Sequence, residues 1–195
     1  SGLACRVEDE KDLGVTIIDM GCGSTGLASF CGGEFTWTAT VPLGGAHVTN
    51  DIAHGLTTPV ANAEHMKRLY ASAIGGPADS REMIEVPQLG EPELLSARQI
   101  PRSLLTGIVR PRLEETFELV RDYIDSSGVA GASSRRIVLT GGASQLQGVG
   151  DLASEILEKQ VRLAQPLPIQ GLAEAVAGPN CATCAGLLIY AAERH

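Results

Sequence analysis

Residues Asp19–Thr25 read DMGCGST, and this stretch decides the fold, because it follows the apolar, β-branched run Gly14–Ile18 without a break. A turn of Gly and Ser at the end of a buried strand exposes backbone N–H groups with no side chain in the way. The close approach of a phosphate or a sugar edge requires such a surface. Asp19 adds a carboxylate at the strand end that is suited to orient Mg²⁺ or its waters.

A second glycine-rich turn, Leu139–Ser144 (LTGGAS), lies about 120 residues further along and follows another β-branched strand, Arg136–Leu139. Either turn alone is a weak signal. We interpret the two together as a single site that holds one nucleotide between them. The alternative is a scaffold without a nucleotide, because glycines are common at tight corners between strands and helices.

The composition bounds the class of protein. A chain of 195 residues is long enough for one large domain or two small subdomains. Its residues are 44% hydrophobic but only 4% aromatic, which predicts an aliphatic, alanine-rich core. The net charge of -8 argues against a nucleic-acid-binding surface.

The chain shows no apolar run of the length that a membrane span needs, and its acidic start, Glu8–Lys11, is unlike a signal peptide. Its five cysteines have irregular spacing, which argues against a disulfide framework and favours a cytoplasmic protein. Cys181 and Cys184 form one CxxC pair without a second. Such a pair could be half of a zinc site or a redox pair, and we interpret the two cysteines as small thiols buried on a helix.

Periodicity predicts strands that alternate with helices, hence an α/β layered fold with a small α+β insertion. Gly32 and Gly33 predict a hairpin, Asn62 is a plausible N-cap, and Pro111 is expected to kink or split a long helix. The expected strands are 14–20, 25–30, 34–41, two within 82–96, 136–140 and 161–163. The expected helices are 46–56, 63–74, 102–125, 148–159 and 181–193.

The two turns carry a resemblance to a known superfamily. Asp19–Thr25 resembles the second phosphate loop of the actin, Hsp70 and sugar-kinase ATPase fold, and Thr140–Ser144 resembles its adenosine loop. With Val48–Ala53, Ile108–Arg112 and Ala182–Leu188, the chain is most similar to the FtsA family of bacterial cell-division proteins. The resemblance implies the second lobe: a ribonuclease H-like subdomain 2A at 1–42 and 101–195, and subdomain 2B at 43–100.

The resemblance further implies ATP and Mg²⁺ as cofactors, with Asp19 holding the metal through water. The implied nucleotide-binding residues are Gly21, Gly23, Ser24, Thr25, Gly44, Gly45, Glu64, Lys67, Arg68, Gly141, Gly142 and Ala143. Of these, Glu64, Lys67 and Arg68 share one helix face by their spacing. Without the family, a solvent-exposed ion pair on a surface helix is the favoured explanation, whereas the resemblance favours the nucleotide role.

One departure from the family pattern bears on affinity. Cys22 stands where the family usually has Gly, and a cysteine at positive φ is strained by about 1 kcal/mol or more. We therefore predict weaker nucleotide binding than in a chain with Gly at this position. Ser24 in place of the more common Thr, and Gly26 in place of a polar residue, are further departures.

The family resemblance also implies partners: head-to-tail self-association into filaments, no nucleic acid, and the C-terminal tail of the tubulin-like protein FtsZ. Basic residues of 43–100 could meet an acidic tail: Lys67, Arg68, Arg81 and Arg98. Membrane contact at the division site would come only through parts absent from this chain. Only 18 residues precede Asp19, so we expect no ATP hydrolysis by this chain alone. A sugar or acetate kinase lobe, or an Hsp70-like ATPase lobe, stays open as an alternative.

Overall fold

A computed structural model describes residues 1–5, 10, 14–88, 98–128, 136–167 and 178–192. Its main feature is a five-stranded mixed sheet in the order β3-β2-β1-β6-β7. The strands of this sheet are β1 (Val15–Met20), β2 (Thr25–Cys31), β3 (Glu34–Val41), β6 (Arg136–Thr140) and β7 (Gln160–Leu163). A separate two-stranded sheet consists of β4 (Met83–Val86) and β5 (Arg98–Pro101).

The chain order explains the pairing directions in the large sheet. The strands β1, β2 and β3 follow one another antiparallel, whereas β1, β6 and β7 run parallel. Gly32 and Gly33 both have positive φ, +57° and +83°, as a two-residue hairpin between β2 and β3 requires. The predicted hairpin and the first three strands are therefore confirmed.

Helices cover both faces of the sheet. Successive residues of a strand point to opposite sides, so a strand that is apolar throughout needs a cover on each face. Ile18 belongs to the larger core and Ile17 to the smaller one. The helices are α1 (Gly2–Cys5), α2 (Gly45–Leu56), α3 (Val60–Tyr70), α4 (Arg102–Ser126), α5 (Val149–Leu157) and α6 (Ala182–Ala192). Both cores are mostly aliphatic and alanine-rich, with Phe30 and Phe117 their only buried phenylalanines, as the composition predicts.

The long helix α4 is continuous through Pro111, so the predicted split is wrong, whereas the alternative of a kink stays a prediction. Proline removes one backbone hydrogen bond, but apolar residues on both sides of it remain in helical register and are buried. Val109 and Leu113, for example, are at most 1% exposed. Packing of this stripe on the core holds the helix together across the proline.

No helix within the described part of the chain combines the length and apolarity that crossing a membrane takes.

The segment between β3 and α4 differs from the prediction in two details. Helix α3 begins at Val60 after Pro59 and ends at Tyr70, so Asn62 is not its N-cap and the helix stops before Ile74. The first predicted short strand corresponds to β4, and it pairs with a strand that was not predicted, β5 at Arg98–Pro101. The second strand predicted within 82–96 is not tested, because it follows Gly90. Residues 89–97 lie outside the described part.

The larger core is continuous across the predicted subdomain boundaries, because Ile84 and Ile100 belong to the same buried cluster as Leu113. The division into subdomain 2A (1–42 and 101–195) and subdomain 2B (43–100) stays a prediction.

Arg102, the first residue of α4, links three segments: its guanidinium donates to the carbonyl of Tyr70 and to the side chains of Glu82 and Gln147.

Candidate nucleotide groove

Both glycine-rich turns leave the same edge of the sheet. Strands β1 and β6 are parallel neighbours, and Asp19 is paired with Thr140 at their carboxyl ends. The two turns follow the carboxyl ends of neighbouring parallel strands, so they are adjacent. At Gly141, an added Cβ would lie 2.5 Å from Asp19 Oδ1 and 2.5 Å from the Met20 carbonyl oxygen, so the two turns are in close contact. The prediction that they meet is confirmed.

The first turn is held by the start of helix α2. The backbone N–H of Gly45 donates to the carbonyl of Gly21 (2.9 Å), and that of Ala46 donates to the carbonyl of Cys22 (2.8 Å). A Cβ at Gly44 would lie 2.5 Å from the Cys22 oxygen. The glycine pair thus allows helix α2 to approach the turn, and two of the helix's first N–H groups are satisfied by the turn itself.

Two side chains of the first turn have partners within the protein. Thr25 is buried, and its hydroxyl donates to the carbonyl of Leu43 (2.8 Å). Asp19 is half-buried and accepts a hydrogen bond from Thr183 Oγ1 at its Oδ2 atom (2.7 Å). Thr25 therefore fixes the end of the turn, while Asp19 connects it to helix α6.

Lys67 is the centre of a buried polar cluster between α2 and α3. Its ammonium donates to the carbonyl of Gly45 (3.0 Å), to Thr49 Oγ1 (2.8 Å) and to Glu64 Oε2 (2.6 Å). The residue is only 9% exposed. The alternative of a solvent-exposed ion pair is therefore wrong for Lys67, since its charge lies inside and is matched by three acceptors.

Glu64 takes part in the same cluster. Its partial burial opposes ionisation and is the largest single influence on its pKa. Hydrogen bonds from Lys67 and Thr49, together with the positive charges of Lys67 and Arg68, outweigh this influence and lower the pKa below its ordinary value. Glu64 is thus held as a carboxylate at the wall of the groove.

The second turn is a short 3-10 helix, Gly142–Gln145, that begins after Gly141 with φ of +93°. Ser144 Oγ donates back to the Gly141 carbonyl (2.7 Å) and closes the turn. An added Cβ at Gly142 would lie 3.6 Å from the Asn180 side chain, so this turn also packs against the segment that leads into helix α6. The backbone conformation of the second turn is therefore determined by contacts within the turn and with the segment before α6.

A groove of about 1080 Å³ runs between the two turns and helix α3. Seven of the predicted residues line it: Gly21, Gly45, Glu64, Lys67, Arg68, Gly142 and Ala143. Six others do not line it: Asp19, Gly23, Ser24, Thr25, Gly44 and Gly141. The nucleotide roles of all of these residues stay a prediction.

Sequence reasoning missed several lining residues. Thr49, Asn50, Gln145, Gln147 and Asn180 also face the groove. Thr49 lies one helical turn after Gly45 and on the same helix face, so its position could have been inferred from spacing. Asn180 carries no such signal, because only the tertiary fold brings the start of helix α6 to the second turn.

Two predictions about cysteines are corrected. Cys22 is not among the residues with positive φ, so the strain that supported weaker nucleotide binding is absent. Cys184 is exposed and Cys181 is half-buried, so they are not buried thiols. Cys5 is the buried one: burial raises its pKa, and its thiol donates to Thr140 Oγ1.

Metal coordination at Asp19 is limited to one carboxylate. Among the described residues, no group of three His, Cys, Asp or Glu side chains forms a ready site. Mg²⁺ usually keeps several waters and takes one or two carboxylates together with phosphate oxygens. Asp19, with one oxygen bonded to Thr183, fits a water-mediated role of this kind and no more.

Comparison with known proteins decides the family. The model of the family described as "Cell division protein FtsA" matches residues 16–186. This chain belongs to the FtsA family. Among its relatives, the FtsA proteins of Rhizobium meliloti and Pseudomonas aeruginosa are 46% and 40% identical to it over 97% and 100% of its length. The chain spans 43% and 46% of those two proteins, less than half of each.

Solved structures show the fold. MreB5 of Spiroplasma citri bound to ADP superposes with a TM-score of 0.74 at 17% identity, covering 96% of this chain and 56% of that one. The PilM–PilN type IV pilus biogenesis complex gives 0.66 at 22% identity, covering 93% and 47%. The predicted fold class, an α/β lobe of the actin-like fold, is confirmed.

Proposed function

We propose that this chain is the second lobe of an actin-like cell-division protein and that its groove binds one side of ATP. The adenosine would lie against Gly142 and Ala143, and the phosphates would lie against the first turn. The observation that carries the proposal is the groove itself, to which both glycine-rich turns and helix α3 contribute. MreB5 of Spiroplasma citri, which shares the fold, has been solved with ADP and with AMPPNP.

The charges of the groove suit such a ligand. Arg68 is exposed at the wall and can reach a phosphate or stack on a base, whereas Lys67 is already occupied and acts by holding Gly45. Glu64 can accept a hydrogen bond from a ribose hydroxyl with the oxygen that Lys67 does not use. Mg²⁺, when bound with ATP, would neutralise phosphate charge, and Asp19 would orient its waters.

Nucleotide binding is best tested by amide chemical shifts, which detect even weak binding to half a site. We expect titration of the 195-residue chain with Mg-ATP to shift the amides of Gly21, Gly45, Gly142 and Ala143. Arg68→Ala should weaken Mg-ATP binding, so that the dissociation constant obtained from these shifts rises severalfold. The matched control is Arg81→Ala, an exposed arginine that does not line the groove. Shifts confined to other residues, or none at millimolar nucleotide, would rule the proposal out.

We further propose that the whole protein self-associates into filaments and lies at the inner membrane face of the division site, where it anchors FtsZ. The family membership and the actin-like fold support this. Actin-like protomers that stack head to tail form open filaments. Membrane attachment would come from parts outside this chain.

The FtsZ tail would dock on residues 43–100. Lys67 does not take part, because it is buried, and Arg68 belongs to the groove. Arg81 and Arg98 are exposed and remain candidates for an acidic peptide. Reversing both charges should abolish binding of an FtsZ tail peptide measured by fluorescence anisotropy, whereas Arg136→Glu, which lies outside this segment, should not. Equal binding by both variants would exclude this surface.

A further inference from the structure

The CxxC pair at the start of helix α6 is not used by the proposed function. Cys181 ends the 3-10 turn Pro179–Cys181, and Cys184 lies in the first turn of α6. Helix geometry places Cα atoms three residues apart at about 5 Å. Disulfides span Cα distances of roughly 4.4–6.8 Å. The two cysteines therefore lie at a separation that a disulfide can close.

The residues around the pair connect it to the groove. Thr183, between the two cysteines, donates its hydroxyl hydrogen to Asp19 (2.7 Å). Asn180, directly before Cys181, lines the groove and packs against Gly142. Thus Thr183 in the first turn of α6 contacts the first glycine-rich turn, and Asn180 in the preceding 3-10 turn contacts the second.

We propose that Cys181 and Cys184 form a reversible dithiol–disulfide pair whose oxidation loosens the Thr183–Asp19 hydrogen bond. Two thiols are too few ligands for a structural zinc site, and no third ligand joins them among the described residues. Two thiols at this spacing can instead interconvert between a dithiol and a disulfide. Forming the disulfide requires no nucleotide, so this proposal and the proposed function fail independently.

The exposure of the two thiols sets the order of the steps. Cys184 is exposed and Cys181 is half-buried, so Cys184 is the thiol that meets an oxidant. Its thiolate attacks one sulfur of a low-molecular-weight disulfide such as oxidised glutathione, and one glutathione thiolate leaves. The Cys181 thiolate then attacks Cys184 Sγ and releases the second glutathione. The protein loses two protons and two electrons, and the oxidant's disulfide becomes two thiols.

The link to Asp19 follows from the geometry of the first turn. Side chains three residues apart on a helix have Cβ atoms about 5–6 Å apart, whereas a disulfide brings them to about 3.8 Å. The first turn must therefore tighten. Ala182 and Ala185 are buried and anchor the inner side, so the exposed side of the turn, which carries Thr183, takes up the movement.

Thiol mapping tests the disulfide directly. The chain is equilibrated with reduced and oxidised glutathione, alkylated and analysed by peptide mass spectrometry. We expect alkylated cysteines to fall from five to three, with one cross-link between Cys181 and Cys184 that a reducing agent reverses. Cys181→Ser should trap a glutathione adduct at Cys184, and the control Cys22→Ser should leave the cross-link intact. Adducts without a cross-link, or a cross-link to Cys22, would overturn the pair.

Amide hydrogen exchange tests the link to Asp19. Oxidation should speed exchange of the amides in residues 20–24 by about twofold or more, because a loosened turn opens more often. Thr183→Val, reduced, should show the same acceleration, and its oxidation should add little. Exchange that is equal in the oxidised and reduced chains would show that the disulfide is not coupled to the first turn.

Discussion

The two glycine-rich turns leave one sheet edge side by side, yet they need glycine for different reasons. Gly141 has φ of +93°, and a Cβ there would collide with Asp19 and Met20. In the first turn neither Gly21 nor Gly23 has positive φ, and around Gly23 nothing lies within 4 Å of an added Cβ. The second turn is thus specified by its own backbone. At the first turn the requirement for glycine lies at Gly44, before helix α2, where a Cβ would lie 2.5 Å from the Cys22 oxygen.

The largest effect should come from Gly141→Ala. The substitution combines a left-handed backbone conformation with overlap on the neighbouring strand, so we expect a loss of about 3 kcal/mol in unfolding free energy. Chemical denaturation measures it. Gly23→Ala is the matched control in the other turn and should stay within about 0.5 kcal/mol of the original chain. Equal losses would erase the distinction between the turns.

Gly44→Ala should come next. The backbone at Gly44 is extended (φ −160°) and open to any residue, so the cost is steric alone. The new methyl group would overlap the carbonyl oxygens of Gly21 and Cys22, and we expect a loss of about 2 kcal/mol. Gly26→Ala, where the same methyl meets nothing within 4 Å, is the comparison. A neutral Gly44→Ala would show that helix α2 does not hold the first turn.

Lys67→Met tests whether the buried ammonium supports the first turn through Gly45. The variant leaves the acceptors on Gly45, Thr49 and Glu64 without their common donor, which should cost about 1–2 kcal/mol. Arg68→Met, on the exposed side of the same helix, should change stability little. If both variants behave alike in denaturation, the cluster does not stabilise the fold.

Glu64→Gln should change how the free energy of unfolding depends on pH more than it changes that free energy at neutral pH. The folded-state pKa of Glu64 is lowered, so ionised Glu64 stabilises the protein above its unfolded value of about 4.3. That stabilisation is lost as the pH falls through the folded value. Unfolding measured between about pH 5 and 3 should therefore show a shallower acid slope in the variant. The unsubstituted chain, unfolded over the same pH range, gives the reference slope.

The smallest effect is expected for Cys22→Gly. Because Cys22 has no positive φ, glycine relieves no strain there, and the dissociation constant for Mg-ATP should be unchanged. Isothermal titration of the two chains compares them. Tighter Mg-ATP binding by the variant would support the original prediction that Cys22 weakens nucleotide binding relative to glycine.

Much of the fold follows from the sequence, because its signals are local. Alternating and β-branched runs place β1, β2, β3 and β6, and the pair Gly32-Gly33 places the hairpin. Boundaries differ from the prediction where local signals compete. Pro111 predicted a kinked or split helix, but the buried stripe keeps α4 continuous. Asn62 resembled a cap, but helix α3 begins at Val60, directly after Pro59, so Asn62 lies inside the first turn.

The sequence by itself determined that two bare backbone turns follow buried strands and that the chain has the FtsA pattern. Parallel neighbours in one sheet must bring such turns together. Only the tertiary structure decided that Lys67 faces inward, that Thr25 bonds to Leu43, and that Thr183 reaches Asp19. These contacts join residues that are distant in sequence, and a hydrogen bond between them depends on positions within a few tenths of an ångström, which no local pattern encodes.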